Sequence, residues 1–144
     1  MQRGATRLIV FDASTLVGAA IRRDNVPHRA LNWLLTHDKI ALSPDVEDEY
    51  FDVLRRPKLA RFLDPEVRAE VLGLLLTFPS RFTPTVRVRD CRDAKDDKYL
   101  ELALAAGATL IVSSDNDLLI LSPWRGIPIL RPAEYLARAA SRER

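Results

Sequence analysis

The sequence predicts an α/β fold: a mostly parallel central sheet of about five strands flanked by helices. Two observations carry that reading. Arg7-Leu8-Ile9-Val10-Phe11-Asp12 and Thr109-Leu110-Ile111-Val112-Ser113 are near-continuous apolar runs of strand length, the pattern of strands buried on both faces. Between them and the weaker strand candidates lie stretches of helical periodicity, and strand alternating with helix implies parallel strands joined by right-handed crossovers. Each buried run ends close to an aspartate, Asp12 and Asp115. The crevice at such strand tips is where open α/β sheets bind ligands.

Taken in order, Ser14 or Thr15 can cap a first helix running through Leu16, Val17, Ala19, Ala20 and Ile21 and fading at Arg22-Arg23-Asp24-Asn25. Pro27 opens a second, His28 to Thr36, with Ala30, Leu31, Leu34 and Leu35 at helical spacing. His28 and His37 stand at its ends, too far apart for one metal, and read as exposed helix-end residues. Lys39-Ile40-Ala41-Leu42 is a short strand, and Ser43-Pro44 is a hydroxyl N-cap followed by proline at the first helical position. On that third helix Val46, Tyr50, Val53 and Leu54 form the inward stripe. Glu47 and Glu49 flank it on opposite sides, and periodicity does not choose between them.

Arg55-Arg56-Pro57-Lys58-Leu59 breaks the helix, and Asp64-Pro65 starts the next. Val67, Val71, Leu72, Leu74, Leu75 and Leu76 make this fourth helix apolar over much of its circumference, so it is expected to be deeply buried or half-covered by a second copy in a homodimer. Beyond Pro79, Thr85-Val86-Arg87-Val88-Arg89 alternates like an edge strand. Helical periodicity returns from Asp96 to Ala106. Asp96, Leu100 and Ala103 share a face, which places a carboxylate on a buried surface, while Asp97 falls on a flank and Lys98 points to water. Gly107 ends the helix, Ile127-Pro128-Ile129-Leu130 is a last short strand, and Pro132 begins a terminal helix ending in the charged tail Ser141 to Arg144.

At 144 residues the chain has the length of one domain, expected to span 1–144. Its 22 basic and 20 acidic side chains leave a net charge of only +2, so charge alone names no partner. The distribution says more: acids crowd the strand tips while arginines gather at 55–61, 81–92 and 138–144. A single cysteine, Cys91, excludes an internal disulfide framework and a Cys-rich zinc site. Asp12 interrupts the first apolar stretch before it could serve as a signal-peptide core, and no segment approaches the ~18 apolar residues that cross a bilayer, so a cytoplasmic location with no membrane association is expected.

Asp12, Asp115, Asp96 and one of the two glutamates could meet at one sheet edge. Clustered carboxylates repel and burial raises their pKa, so such a cluster weakens the fold unless a divalent cation neutralises it. Oxygen donors without Cys or His select Mg²⁺ or Mn²⁺. That chemistry suits hydrolysis of a phosphodiester, with Ser113 or Ser14 orienting an acid or a water through its hydroxyl. Each acid also has a plain structural use as a helix cap or first-turn residue. Two rivals stand beside the nuclease. One is a phosphatase using Asp12 as nucleophile, although such enzymes carry a second aspartate where this chain has Ser14; the other is an Mg²⁺-holding RNA-binding or regulatory module that cleaves nothing.

The motifs as they stand are Ile9-Val10-Phe11-Asp12-Ala13-Ser14, Ser43-Pro44 through Glu49-Tyr50, Arg92-Asp93-Ala94-Lys95-Asp96-Asp97-Lys98-Tyr99-Leu100, and Ile111-Val112-Ser113-Ser114-Asp115-Asn116-Asp117. In this order and at these separations the chain resembles the PIN-domain family, and within it the VapC-like ribonucleases that act as toxins of toxin–antitoxin pairs. The resemblance implies a three-layer fold, with the family's four acids falling on Asp12, Glu49, Asp96 and Asp115. It thereby selects Glu49 over Glu47, and it sets Asp93 and Asp117 as further metal or outer ligands. It implies Mg²⁺- or Mn²⁺-dependent cleavage of RNA and a cognate antitoxin protein. Ser14 stands where the family often has Asn, and Ser113-Ser114-Asp115 where it often has Thr-Gly-Asp.

Overall fold

The structure is a computed structural model that describes residues 7–77 and 79–142. Arg3, Arg144 and the end of the charged tail lie outside the described residues. The elements are β1 (Leu8–Phe11), α1 (Ala13–Ile21), α2 (Val26–His37), β2 (Lys39–Leu42), α3 (Pro44–Arg55), α4 (Pro57–Ala60), α5 (Pro65–Thr77), β3 (Ser80–Arg81), a 3-10 turn (Ala94–Asp96), α6 (Asp97–Ala106), β4 (Leu110–Val112), α7 (Asn116–Leu119), β5 (Ile129–Leu130) and α8 (Pro132–Arg142).

The five strands form one sheet in the order β3-β2-β1-β4-β5, and every pairing is parallel. From β1 the chain builds outward through β2 to β3, then returns to lay β4 on the other side of β1. The winding therefore reverses between β1 and β4, and the tips of those two strands form the crevice where this architecture places ligands. Their register pairs Phe11 with Val112, which sets Asp12 and Ser113 side by side just past the pair. Ile9, Val10, Phe11, Ile111 and Val112 have no exposed surface. Burying each such side chain contributes about 1.5–3 kcal/mol, so the sheet's centre is a stiff base for whatever its tips carry.

Helix starts follow local chemistry. Asp12 itself, rather than Ser14 or Thr15, caps α1, its Oδ1 accepting from the Thr15 N–H at 3.0 Å. Asn25 caps α2 and Ser43 caps α3, each with proline in the first turn. Arg56 ends α3 and at once begins the single turn of α4. Gly107 closes α6 in the left-handed region at φ 60°, where a side chain would be strained.

Four expectations need correcting. Thr85–Arg89 is loop: it pairs with no strand, its Val88 N–H donates to Glu101 of α6 at 2.9 Å, and just beyond it Cys91 donates to Asp97 at 2.8 Å. The edge strand is the short β3 upstream of it. α5 is not deeply buried. Only Val67, Val71 and Leu75 are inside, and Leu76 is 63% exposed. His28 is buried, its Nδ1 accepting from the Asp24 N–H at 3.0 Å, so the imidazole closes the turn before α2. Lys98 does not point to water but folds back onto Glu49. Among the described residues no helix is long and apolar enough to cross a membrane.

Candidate active site

At the β1 and β4 tips lies a pocket of about 330 Å³ whose lining includes Asp12, Ser14, Glu49, Asp93, Asp96 and Asp115. Val17, Val53, Leu59 and Arg56 complete much of the lining, the first three as apolar surface. Six of the eight candidates named from sequence therefore converge on one cavity. Ser113 touches Asp12 from below, and Asp117 stands apart.

Asp12 is buried, and both its oxygens are engaged. Oδ1 accepts from Thr15; Oδ2 accepts from the Ser113 hydroxyl and, at 3.4 Å, from Ser14. Burial pushes this carboxyl above its ordinary range, hydrogen bonds from Ser113 and Thr15 pull it back, and the charge of Asp115 adds to the rise. Ser113 has no exposed surface and works in two directions, because its Oγ also accepts from the Asp115 N–H at 2.9 Å. One hydroxyl thus ties the β4 tip to Asp12 and sets the turn that presents Asp115. Asp115 caps α7 through the Asp117 N–H at 2.9 Å.

Asp96 comes from the 3-10 turn and is 6% exposed. Its Oδ2 is buried and has no hydrogen-bond partner among the described residues. Burial, then the adjoining Asp115 carboxyl, then the charges of Asp93 and Glu49 push its pKa up to about 7. A desolvated acid facing another acid holds its proton near neutrality unless a cation takes the proton's place.

Glu49 reaches the pocket from the second turn of α3, whereas Glu47 on the opposite flank pairs with Arg81 at 2.8 Å. Of the two glutamates that helical periodicity left open, Glu49 is the one that lines the pocket. Glu49 Oε1 accepts from the Tyr99 hydroxyl and lies 3.2 Å from Lys98 Nζ. The Tyr99 hydroxyl also accepts from the Ala13 N–H at 3.0 Å, so α1, α3 and α6 are joined through one buried phenol. Tyr50 adds a second tie, donating to the Phe11 carbonyl at the end of β1. Sequence reasoning missed Tyr99 and Lys98. The available signal was that Tyr99 lies three positions after Asp96, one helical turn on the same side.

Asp93 sits at the rim, caps the 3-10 turn and has Lys95 Nζ at 3.7 Å. Asp117 does not line the pocket, and its carboxylate is held by Arg92 at 2.6 Å. Lys95 also lines a neighbouring groove of about 770 Å³ that runs past Arg87 and Arg89.

The donor set is all oxygen, which suits a hard divalent cation. Among the described residues no three ligating side chains are gathered closely enough to clasp an ion unaided. Magnesium requires less, since one or two carboxylates with retained waters complete its shell. The unpartnered Asp96 oxygen beside Asp115 is the feature that fits such an ion.

The comparisons with known proteins agree with this architecture. A family model described as the PIN domain matches residues 8–117. The uncharacterized protein MJ1680 of Methanocaldococcus jannaschii is 30% identical over 118 residues, 78% of this chain and 74% of that protein. Among solved structures, PAE2754 from Pyrobaculum aerophilum superposes with TM-score 0.56 at 19% identity, covering 94% of this chain and 90% of that one. VapBC2 from Rickettsia felis, bound to a DNA fragment from its promoter, gives TM-score 0.54 at 13% identity, with 85% and 96% covered. At these identities the structural likeness is one of fold.

Proposed function

Because this chain belongs to the PIN-domain family, whose members are generally nucleases, we propose that it is a Mg²⁺- or Mn²⁺-dependent endoribonuclease, a single domain whose catalytic acids are Asp12, Glu49, Asp96 and Asp115. The observation that carries the proposal is the buried, unpartnered Asp96 oxygen facing Asp115 in a pocket that Asp12 also lines. When bound, a divalent ion there supplies positive charge against the phosphodiester and eases deprotonation of the attacking water.

The chain's own residues do the rest. Asp96 and Asp115 would hold the ion, and Asp96 would give up the proton that burial otherwise favours. Asp12, aimed by Ser113 and Ser14, would support it from the β1 tip. Glu49, fixed by Tyr99, faces the same cavity and is placed to accept a proton from water at the reacting phosphate. Asp93 with Lys95 borders the entry, and Arg87 and Arg89 line the groove beyond, where phosphates of a longer strand can lie. Asp117, tied to Arg92, fixes the loop in front of α6 and acts on the site from outside. The Asp12 oxygens are both hydrogen-bonded, which leaves little support for a nucleophilic aspartate and hence for a phosphatase.

A cognate antitoxin protein that covers the acidic pocket is part of the proposal, supported by the fold shared with VapBC2 of Rickettsia felis and by the resemblance of the motifs to toxins of toxin–antitoxin pairs. So is a homodimer, for which the exposed Leu76 face of α5 is the candidate contact. The test is incubation of the purified protein with tRNA-like and other structured RNAs under Mn²⁺, Mg²⁺ or EDTA, beside its Asp96→Asn variant. Cleavage that needs metal and Asp96 supports the reading. Tight RNA binding without cleavage under every metal condition would move the assignment to a binding module.

A further inference from the structure

Two cationic side chains line the acidic pocket, Arg56 and Lys95. Lys95 stands near one of the pocket's own acids, its Nζ 3.7 Å from Asp93 Oδ2. Arg56 is held differently. Proline keeps the residue before it out of helical backbone, so Pro57 makes Arg56 end α3 in an extended conformation, at φ −64° and ψ 125°. From there its Nε and Nη2 both donate to Asp52 Oδ2, at 3.1 and 2.6 Å. Asp52 is not part of the pocket lining. The guanidinium is therefore anchored from outside the pocket, through one edge, by a carboxylate one turn back on α3.

A guanidinium is a planar fork with a second edge. Arg56 Nη1 makes no hydrogen bond to a described residue, and the side chain is 53% exposed, so that edge is open to a ligand. An exposed pair of this kind adds little to stability. What it does is fix where the guanidinium stands. None of the five carboxylates that line the pocket takes this arginine, so they stay available to a cation while Arg56 stays available to an anion. Val53 and Leu59, three positions to either side of Arg56, line the same cavity with apolar surface. A nucleotide offers the matching pair of features, an anionic phosphate and an apolar base face.

We propose that Arg56 is the phosphate-recognising residue of the pocket: its free edge donates charge-assisted hydrogen bonds to the oxygens of an RNA phosphate, and the apolar lining beside it receives that nucleotide. Asp52 acts as a positioning residue behind it. This rests on the reading of the pocket as a ribonuclease site and adds a group that holds the substrate instead of the metal.

The test is calorimetry of the full chain with adenosine 5′-monophosphate, which has no phosphodiester to cleave, and with adenosine, each in Mg²⁺ and in EDTA. Arg56→Ala is expected to bind the monophosphate about tenfold or more weakly than wild type, the loss that follows from one charged hydrogen-bonding partner. Its affinity for adenosine should be unchanged, and Arg56→Lys should fall between the two for the monophosphate. Equal monophosphate affinity in wild type and a folded Arg56→Ala protein would overturn the proposal. So would no monophosphate binding by wild type, or an equal loss for adenosine, which would mark a merely structural arginine. Mn²⁺ titrations keep the two readings apart: Arg56→Ala should bind the ion as wild type does and Asp96→Asn should not. Wild type that takes no Mn²⁺ would end the metal-site reading, while the monophosphate measured in EDTA still decides the role of Arg56.

Discussion

Ser113 donates its hydroxyl hydrogen to Asp12 across 101 positions of sequence, at the point where the β1 and β4 tips lie side by side. The same oxygen accepts from the Asp115 N–H. Two of the four proposed catalytic acids are therefore set by a single buried hydroxyl.

Replacing Ser113 with Ala should leave Asp12 misaligned and the Asp115 N–H without its partner. Loss of such an orienting partner costs roughly 10- to 100-fold in activity or metal affinity. Unfolding in urea should show a loss of about 1–2 kcal/mol from the orphaned buried groups. Ser113→Thr, which keeps the hydroxyl, should retain most activity. An Ala variant with full activity would remove Ser113 from the site.

Asp96 should make the metal-free protein less stable as pH rises. Its carboxyl is pushed up to about 7 in the fold, above the ordinary 3.8. The folded state thus holds a proton that the unfolded chain releases. That contribution is complete below the unfolded value and is lost as pH climbs through the folded one. Urea midpoints measured in EDTA from about pH 4 to pH 8 should fall more steeply for wild type than for Asp96→Asn. Saturating Mn²⁺ should restore wild type at the upper end and leave the variant unmoved.

Tyr99→Phe removes the donor to Glu49 and strands the Ala13 N–H, with little change in packing. A buried donor left without a partner costs about 1–3 kcal/mol, which equilibrium unfolding can read. Glu49 then keeps Lys98 at 3.2 Å but loses the phenol that sets its aim, so activity should fall further than the stability change explains. Equal activity in a folded Phe variant would show that Glu49 needs no such hold.

Gly107→Ala should destabilise without touching the chemistry. At φ 60° a Cβ is strained, although nothing lies within 4 Å of its position, so the cost is conformational and of order 1 kcal/mol. Thermal unfolding should shift while cleavage by the folded fraction stays the same.

These effects mark where the sequence was readable. β1 and β4 announced themselves as apolar runs because strands buried on both faces have no polar alternation, and Asp96 announced itself because Leu100 and Ala103 share its helical face. Ser43-Pro44 located the start of α3 through local capping chemistry. What escaped was decided by tertiary contacts. The Thr85–Arg89 alternation is that of a strand, but Glu101 took the Val88 N–H. Periodicity sent Lys98 outward, and a four-carbon stem let it fold back to a carboxylate on α3 that only the packed structure brings near. His28 looked like a helix-end residue until the turn at Asp24 gave its ring a partner. The choice of Glu49 over Glu47 lay beyond helical phase and came from the family resemblance; in the structure Glu49 lines the pocket and Glu47 pairs with Arg81.

The most direct measurement is a crystal structure of the wild-type protein grown with Mn²⁺, with anomalous differences recorded at the manganese edge. One anomalous peak between the Asp96 and Asp115 carboxylates, within reach of Asp12 and vanishing in Asp96→Asn, is the expected result. A pocket with no peak at saturating Mn²⁺, its carboxylates still protonated or turned onto cationic side chains, would contradict the account.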